Sequence, residues 1–344
     1  MNNKKWVLYT ITLGVFIFAA IYFSRLAIQN YSFDRARIIW DMKTNLISSI
    51  NPNNYDYIIV GSSKTLALNP EYILNKTDLK GINLSVPGAT ILYHYYAIKR
   101  LIEENSTLPK IFINLVPYQL EKEAMEETYT GNKKLCRWFI KDKEALEVNK
   151  YIQSFYNDCK KIKNKTFIMY SDSSLLRSLN TEISYFIKHR KTATNLLKHE
   201  LNNNKGFYLV GEELVFSNKV KHIHNKFSNK NVLLAKNGVS PTSKIYFNKL
   251  MKLLKENKVE YTFFFSPFYS EQAKFTNLDF GQSIYLFNQI DNKSIMKNVL
   301  LLDGINFTDG QHLNHKGSII YNDWFIKYLT QNKAEKFTEY ILKN

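Results

Sequence analysis

The chain of 344 residues is 45% hydrophobic and 22% charged, which is ordinary for a globular protein and too apolar for an intrinsically disordered one. Its formal net charge of +17 favours an anionic neighbour such as lipid headgroups, an anionic polymer or nucleic acid. The lysines are scattered rather than grouped, and the sequence contains no nucleic-acid-binding motif. We therefore interpret the charge first as a solvated basic surface and second as attraction to an anionic cell envelope.

The first segment of the chain, residues 6–23, is apolar and carries no charged side chain. Its length is about that needed to cross a hydrocarbon core as a helix, roughly 20 residues. Lys4 and Lys5 precede it, so the positive-inside rule places the N-terminus in the cytoplasm and the rest of the chain outside. A cleaved signal peptide is the alternative, but no A-x-A cleavage site follows the segment. We expect residues 1–25 to form an uncleaved membrane anchor, followed by a stalk over 26–54.

Beyond the stalk, short runs rich in β-branched and aromatic residues alternate with stretches of helical periodicity. We predict strands at 57–60, 81–84, 109–116, 261–265 and 299–302, and helices over 88–105, from Ser240–Pro241 onward, over 282–295 and over 314–330. Strands that alternate with helices indicate βαβ units and a parallel sheet.

One long stretch, about 118–240, interrupts this alternation and is rich in Lys and Asn. We expect it to be a mostly helical insertion that covers the C-terminal edge of the sheet. The prediction is an α/β protein, a three-layer α/β/α sandwich over 55–330 with that insertion, followed by a C-terminal tail at 331–344.

Polar residues follow the predicted strands at their carboxyl ends, where open parallel sheets bind ligands. Ser63 follows the first strand, Gly88 follows the second, and Asp309 and His312 follow the last. A serine nucleophile needs a base to accept its proton, and the base needs an acid to fix its tautomer. The spacing of Asp309 and His312 lets the carboxylate reach one imidazole nitrogen while the other faces the serine. The backbone N–H groups of Ser63 and Gly88 are candidate donors to an oxyanion.

Three blocks of the sequence resemble the motifs of the SGNH (GDSL-type) hydrolases, namely IIVGSSKT at 58–65, NLSVPGAT at 83–90 and DGQHLNHKG at 309–317. Their order and their positions after predicted strands agree with that superfamily, whose fold is a flavodoxin-like sandwich. Carried over by position, the resemblance implies that Ser63 is the nucleophile, Gly88 an oxyanion donor, Asp309 the orienting acid and His312 the base.

The sequence departs from the family pattern at two places. Ser62 stands where the usual Asp precedes the nucleophile, and the resulting G-S-S form resembles that of envelope-polymer members of the superfamily. The third block reads FINLVPYQ instead of G-x-N-D, with Asn114 inside the predicted strand as the candidate for the third oxyanion donor. An anchor followed by a G-S-S domain is similar to the proteins of lipoteichoic acid D-alanylation and exopolysaccharide acetylation.

The resemblance implies an extracytoplasmic serine esterase or O-acyltransferase that acts on acyl groups, acetyl foremost, of a cell-envelope or extracellular glycopolymer through an acyl-serine. It implies a membrane-bound O-acyltransferase as a possible partner, and neither a cofactor, nor a metal, nor a nucleic-acid partner. The alternative is a non-catalytic SGNH-like scaffold that binds a glycan or the acyltransferase. Cys136 and Cys159 could form a disulfide outside the cytoplasm or remain two free thiols.

Overall fold

The computed structural model of the chain describes its α/β domain and a few residues near the N-terminus. The described residues are 6, 9, 12–16, 35–116, 120, 133–141, 159–160, 198–199, 201–203, 205–209, 239–269, 290–308, 312–330 and 339–341. The chain divides into two compact units, one of Met1–Arg35 with Met169–Leu196 and one of Ala36–Ile168 with Leu197–Asn344. The described residues of the first unit are helical, and the second unit contains the sheet.

Most of the predicted membrane anchor, residues 1–25, lies outside the described residues. Within the part of the chain that the structure describes, no helix is both long and apolar enough to cross a membrane. The anchor therefore stays a prediction from the sequence.

Four parallel strands form the main sheet in the order β2-β1-β3-β4. They are β1 (Tyr57–Val60), β2 (Gly81–Asn83), β3 (Lys110–Leu115) and β4 (Tyr261–Phe265). These match four predicted strands, because short runs of β-branched and aromatic residues are typical of buried parallel strands. The chain leaves β1 toward β2 on one side and returns to β3 on the other, so the strand order reverses between β1 and β3. Open α/β sheets bind ligands at such a switch point.

A second sheet contains the last strands, β5 (Phe268–Tyr269), β6 (Asn298–Leu302) and β7 (Glu339–Ile341). β5 and β6 are parallel, whereas β7 pairs with β6 in the antiparallel direction. β6 is the predicted fifth strand. The segment 331–344, which we expected to be a tail, instead supplies an edge strand. Strands of two or three residues are too short to show an alternating pattern in the sequence.

Six helices of eight or more residues lie among the described residues: α1 (Arg35–Ile47), α2 (Pro70–Thr77), α3 (Ile91–Glu104), α4 (Lys133–Lys141), α5 (Pro241–Glu256) and α6 (His315–Leu329). Successive strand residues face opposite sides of the sheet. Ile111 and Ile113 of β3 pack in one apolar cluster with residues of α3 and α5. Phe112 packs in a second cluster with residues of α2 and α6. This layering is consistent with a three-layer α/β/α sandwich.

Two predicted helix starts are confirmed, at Ser240–Pro241 and at Asn314, whereas the helix predicted over 88–105 begins at Ile91. The Ser240 side chain caps α5 by accepting a hydrogen bond from Ser243 N, and Asn314 caps α6 by accepting one from Gly317 N, both at 3.0 Å. The helix predicted over 282–295 is wrong in its described part, residues 290–295. Those residues form a 3₁₀ turn and a parallel bridge to β4 rather than an α-helix.

Part of the segment predicted as a stalk, 26–54, belongs to the core of the domain. The α1 side chains of Ile39, Trp40 and Ile47 are buried in that core, and Lys43 is buried between them. This spacing puts one apolar face of a helix against the core. Polar residues such as Lys43 interrupt the apolar pattern of this helix in the sequence. The stalk prediction was therefore wrong for α1.

The insertion predicted over 118–240 is described only in part. Its helix α4 places Phe139 in the same apolar cluster as α3, and short helical pieces lie at 159–160 and 198–203, residue 200 lying outside the described set. A disulfide joins Cys136 of α4 to Cys159, with both residues buried and their Cα atoms 5.1 Å apart. Of the two states that the sequence left open for these cysteines, the structure has the disulfide.

Candidate active site

Ser63 lies directly beyond the carboxyl end of β1, as the first residue of the 3₁₀ helix Ser63–Ala67. Gly61 lies between β1 and this helix, and an added Cβ there would lie 2.5 Å from Thr65 Oγ1 and 2.8 Å from the Cβ of Asn114. Only glycine therefore allows this close approach. Ser63 is half-buried, whereas Ser62 beside it is fully buried.

His312 meets Ser63 although 249 residues separate them in the chain. Its Nε2 atom lies 2.9 Å from Ser63 Oγ, a hydrogen-bonding distance. In the tautomer that carries its proton on Nδ1, Nε2 accepts the bond from the serine hydroxyl. The structure thus brings together the serine and the histidine that the sequence singled out.

The loop that carries His312 is tied back onto itself. Thr308 N donates to His312 O at 2.8 Å, and Asn314 N donates to Asn306 O at 3.0 Å. Asp309, predicted as the orienting acid, lies outside the described residues, so its role stays a prediction. The bonds on either side of it fix the position from which His312 reaches Ser63.

A buried polar clamp fastens the Ser63 helix to α6, which follows His312. Asn322 donates from Nδ2 to Ala67 O at 3.0 Å and accepts from Asn69 N at 2.7 Å. Ser318 Oγ also donates to Ala67 O, at 3.1 Å. These residues were not predicted from the sequence. Their signal was a pair of polar residues four apart on the buried face of an amphipathic helix.

The loop after β2 lies beside the Ser63 segment and carries Gly88. Val86 N donates to Gly61 O at 3.1 Å, which extends the parallel pairing past the end of β1. Asn83 Nδ2 donates to Thr65 O at 2.8 Å, inside the Ser63 helix. Gly88 itself is exposed, with φ of +64° and open space around an added Cβ. Its conformation, rather than crowding, is what favours glycine there.

Asn114 lies inside β3 and is fully buried. Its Oδ1 accepts from Ser62 Oγ at 3.3 Å, while its Nδ2 donates to Ser266 Oγ at 3.0 Å and to Phe264 O at 3.4 Å. The side chain thus connects the ends of β1, β3 and β4 beneath Ser63. Since its amide group bonds within the protein, this geometry gives no support to a role as the third oxyanion donor.

Two basic side chains, Lys43 and His94, are buried in the core of the domain. Burial lowers the pKa of Lys43 to about 7 and that of His94, in α3, to about 3. Among the described residues, neither nitrogen of the His94 ring has a hydrogen-bond partner, and burial favours the neutral form of the ring. His315 is exposed at the first turn of α6. No cluster of three or more potential metal-ligating residues occurs among the described residues.

No family model matches the chain, and no curated protein matches it. The assignment of a function therefore rests on the residues and their geometry.

Proposed function

We propose that this chain is an extracytoplasmic, SGNH-like serine esterase or O-acyltransferase that acts on acyl groups, acetyl foremost, of a cell-envelope or extracellular glycopolymer. The observation that carries the proposal is the 2.9 Å contact between Ser63 Oγ and His312 Nε2. It lies beside the β1/β3 switch point, where α/β sheets bind ligands. The strand order β2-β1-β3-β4 supports a flavodoxin-like sandwich of the SGNH type.

In the proposed reaction, His312 Nε2 accepts the proton of Ser63 as Oγ attacks the ester carbonyl. The carbonyl oxygen becomes an oxyanion, which the backbone N–H groups of Ser63 and Gly88 stabilise. His312 then returns the proton to the leaving alcohol, and the acyl group remains on Ser63. Asp309 holds the imidazole in the required tautomer.

The second half of the reaction frees Ser63 by the same route in reverse. His312 takes a proton from water in an esterase, or from a sugar hydroxyl in a transferase, as that oxygen attacks the acyl carbon. The bond between the acyl group and Ser63 Oγ then breaks, and His312 returns the proton to Ser63 Oγ. Water exclusion and acceptor binding decide between the two outcomes. A membrane-bound O-acyltransferase would be the source of acyl groups in the transferase form.

Two features support placing this chemistry outside the cytoplasm. The disulfide between Cys136 and Cys159 is of a kind that persists in oxidising compartments. The uncharged segment 6–23 is long enough for an anchor. The net charge of +17 fits a protein that works beside anionic lipids and polymers.

The test is serine-directed labelling of a chain that begins at residue 26. Wild type, Ser63→Ala, His312→Gln and the surface control Ser49→Ala would each be treated with a fluorophosphonate and weighed intact. We expect one adduct on wild type and Ser49→Ala, and none on Ser63→Ala. His312→Gln should label at least about 100-fold more slowly, since base catalysis contributes about 10²–10⁴-fold. An adduct that persists on Ser63→Ala would refute the mechanism.

The second candidate function is a non-catalytic scaffold that binds a glycan or an acyltransferase partner. It is favoured by the altered third block, in which the Asn114 amide bonds inside the protein. A folded wild type that gives no adduct would favour this function over the enzyme.

A further inference from the structure

Helix α1 holds both ends of the loop that follows β2. Trp40 Nε1 donates to Pro87 O at 2.9 Å, near the end of the loop. The Lys43 ammonium donates to Asn83 O, at its start, and to Gly206 O at 2.7 Å. Both side chains are buried, Trp40 with 7% and Lys43 with 1% of its surface exposed. One face of one helix thus fixes the whole loop.

The bond from Trp40 has a consequence for the next residue along the chain. The carbonyl of Pro87 and the N–H of Gly88 belong to the same peptide unit, which is planar and trans. The two groups therefore point in opposite directions. Once Trp40 fixes the direction of the Pro87 carbonyl, the direction of the Gly88 N–H is fixed as well.

The indole ring is itself firmly held. It makes an edge-to-face contact with the ring of Tyr93, with 4.9 Å between the ring centroids and 74° between the ring planes. The Tyr93 hydroxyl donates to Leu84 O at 2.6 Å, inside the same loop. Without such restraints, a glycine with positive φ has access to many backbone conformations.

We propose that Trp40 is a positioning residue for catalysis: by holding the Pro87 carbonyl, it aims the Gly88 N–H at the oxyanion formed when Ser63 attacks an ester. This inference rests on the proposed function, because it needs Ser63 to react. It adds that α1, which lies in the segment predicted as a stalk, shapes the oxyanion site.

The test replaces Trp40 by Phe, which keeps an aromatic ring beside Tyr93 but has no N–H to donate. Trp138→Phe is the matched control, since Trp138 is a half-buried indole packed against the same apolar cluster. Two quantities would be measured on each protein. They are the saturation kinetics of fluorophosphonate labelling and the hydrogen exchange of the amides at 84–89.

For Trp40→Phe we expect the labelling rate at saturation to fall about 10-fold with the probe's binding constant unchanged. Loss of a whole oxyanion donor costs about 10²–10³-fold, and a misdirected donor should cost less. Exchange at 84–89 should be faster in this variant alone. Trp138→Phe should match wild type in both measurements. If Trp40→Phe folds poorly, benzothienylalanine at position 40 keeps the shape of Trp and replaces the N–H by sulfur.

The outcomes separate the two proposals. If wild type is labelled and Trp40→Phe or the benzothienylalanine variant is labelled at the same saturating rate, the role of Trp40 is overturned and the proposed function is not. A change in the probe's binding constant without a change in rate would overturn it too. The absence of an adduct on folded wild type would instead refute the proposed function, and with it the role proposed for Trp40 in catalysis.

Discussion

Two adjacent residues of α6 connect this helix to the chain segment that follows Ser63, one by buried hydrogen bonds and one by a charged contact. Substitutions at the two positions should lower the free energy of unfolding by very different amounts. Asn322 is buried, with 1% of its surface exposed, and bonds Ala67 O and Asn69 N. Asp323 is partly exposed and accepts from the Tyr72 hydroxyl and from Lys76, both at 2.8 Å. Asn322→Leu removes a buried amide, and Asp323→Asn removes a surface charge.

The structure sets the expected magnitudes. Asn322→Leu leaves the N–H of Asn69 without its acceptor, which costs about 1–3 kcal/mol, and it removes one of two bonds to Ala67 O, worth about 1 kcal/mol. We expect a loss of about 2–4 kcal/mol in the free energy of unfolding. The Lys76–Asp323 pair has side chains 49% and 24% exposed, so solvent screens it and Asp323→Asn should cost at most about 1 kcal/mol.

Urea denaturation followed by circular dichroism measures both effects on chains that begin at residue 26. Asn322→Leu should lower the midpoint without changing the slope, and it should also slow labelling of Ser63, because the clamp holds the Ser63 helix against α6. Asp323→Asn should leave labelling unchanged. Equal losses of stability in the two variants, or a larger loss in Asp323→Asn, would refute the idea that buried hydrogen bonding, rather than charge, holds this junction.

Three further predictions concern stability. Because burial lowers the pKa of His94 from an ordinary 6.5 to about 3, the unfolded chain binds the extra proton, and stability should fall by about 1.4 kcal/mol per pH unit from pH 6 to pH 4; His94→Leu should flatten that fall in urea titrations. Burial lowers the pKa of Lys43 to about 7 from 10.5, so stability should rise from pH 7 to pH 10, and Lys43→Met should abolish the rise in melting temperature. Reducing the disulfide between Cys136 and Cys159, which are 23 residues apart, should cost about 3 kcal/mol, measured by denaturation with and without dithiothreitol.

The strands of the main sheet could be predicted because each is a short apolar run bounded by turn residues. The starts of α5 and α6 could be predicted near Ser240 and Asn314, whose side chains accept hydrogen bonds from free N–H groups of the first helical turn. The role of α1 could not be, because its buried face includes Lys43. A lysine is almost never fully buried, and its acceptors lie on segments distant in the sequence.

The candidate site divides in the same way. The contact between Ser63 and His312 was expected from the rule that polar residues after the carboxyl ends of parallel strands lie at one edge of a sheet, although β6, the strand before His312, belongs to the second sheet. The bonds made by Trp40 and Asn322 follow no such rule, since each depends on which backbone carbonyl lies opposite a side chain after folding. Asn114 shows the limit most clearly. Its place in the third block was visible in the sequence, but its partners, Ser62 and Ser266, were not.

The two halves of the candidate site are held by opposite helix layers. α6 holds the Ser63 helix through Asn322, on the face of the sheet where Phe112 packs. α1 holds the Gly88 loop through Trp40, and Trp40 packs in the cluster on the other face. In the proposed reaction, the nucleophile Ser63 and the proposed oxyanion donor Gly88 would have to keep a fixed separation. The sheet lies between the two layers, and Asn114 joins its strand ends by hydrogen bonds beneath Ser63. The sheet would therefore maintain that separation, so a defect in either layer should impair the same chemical step.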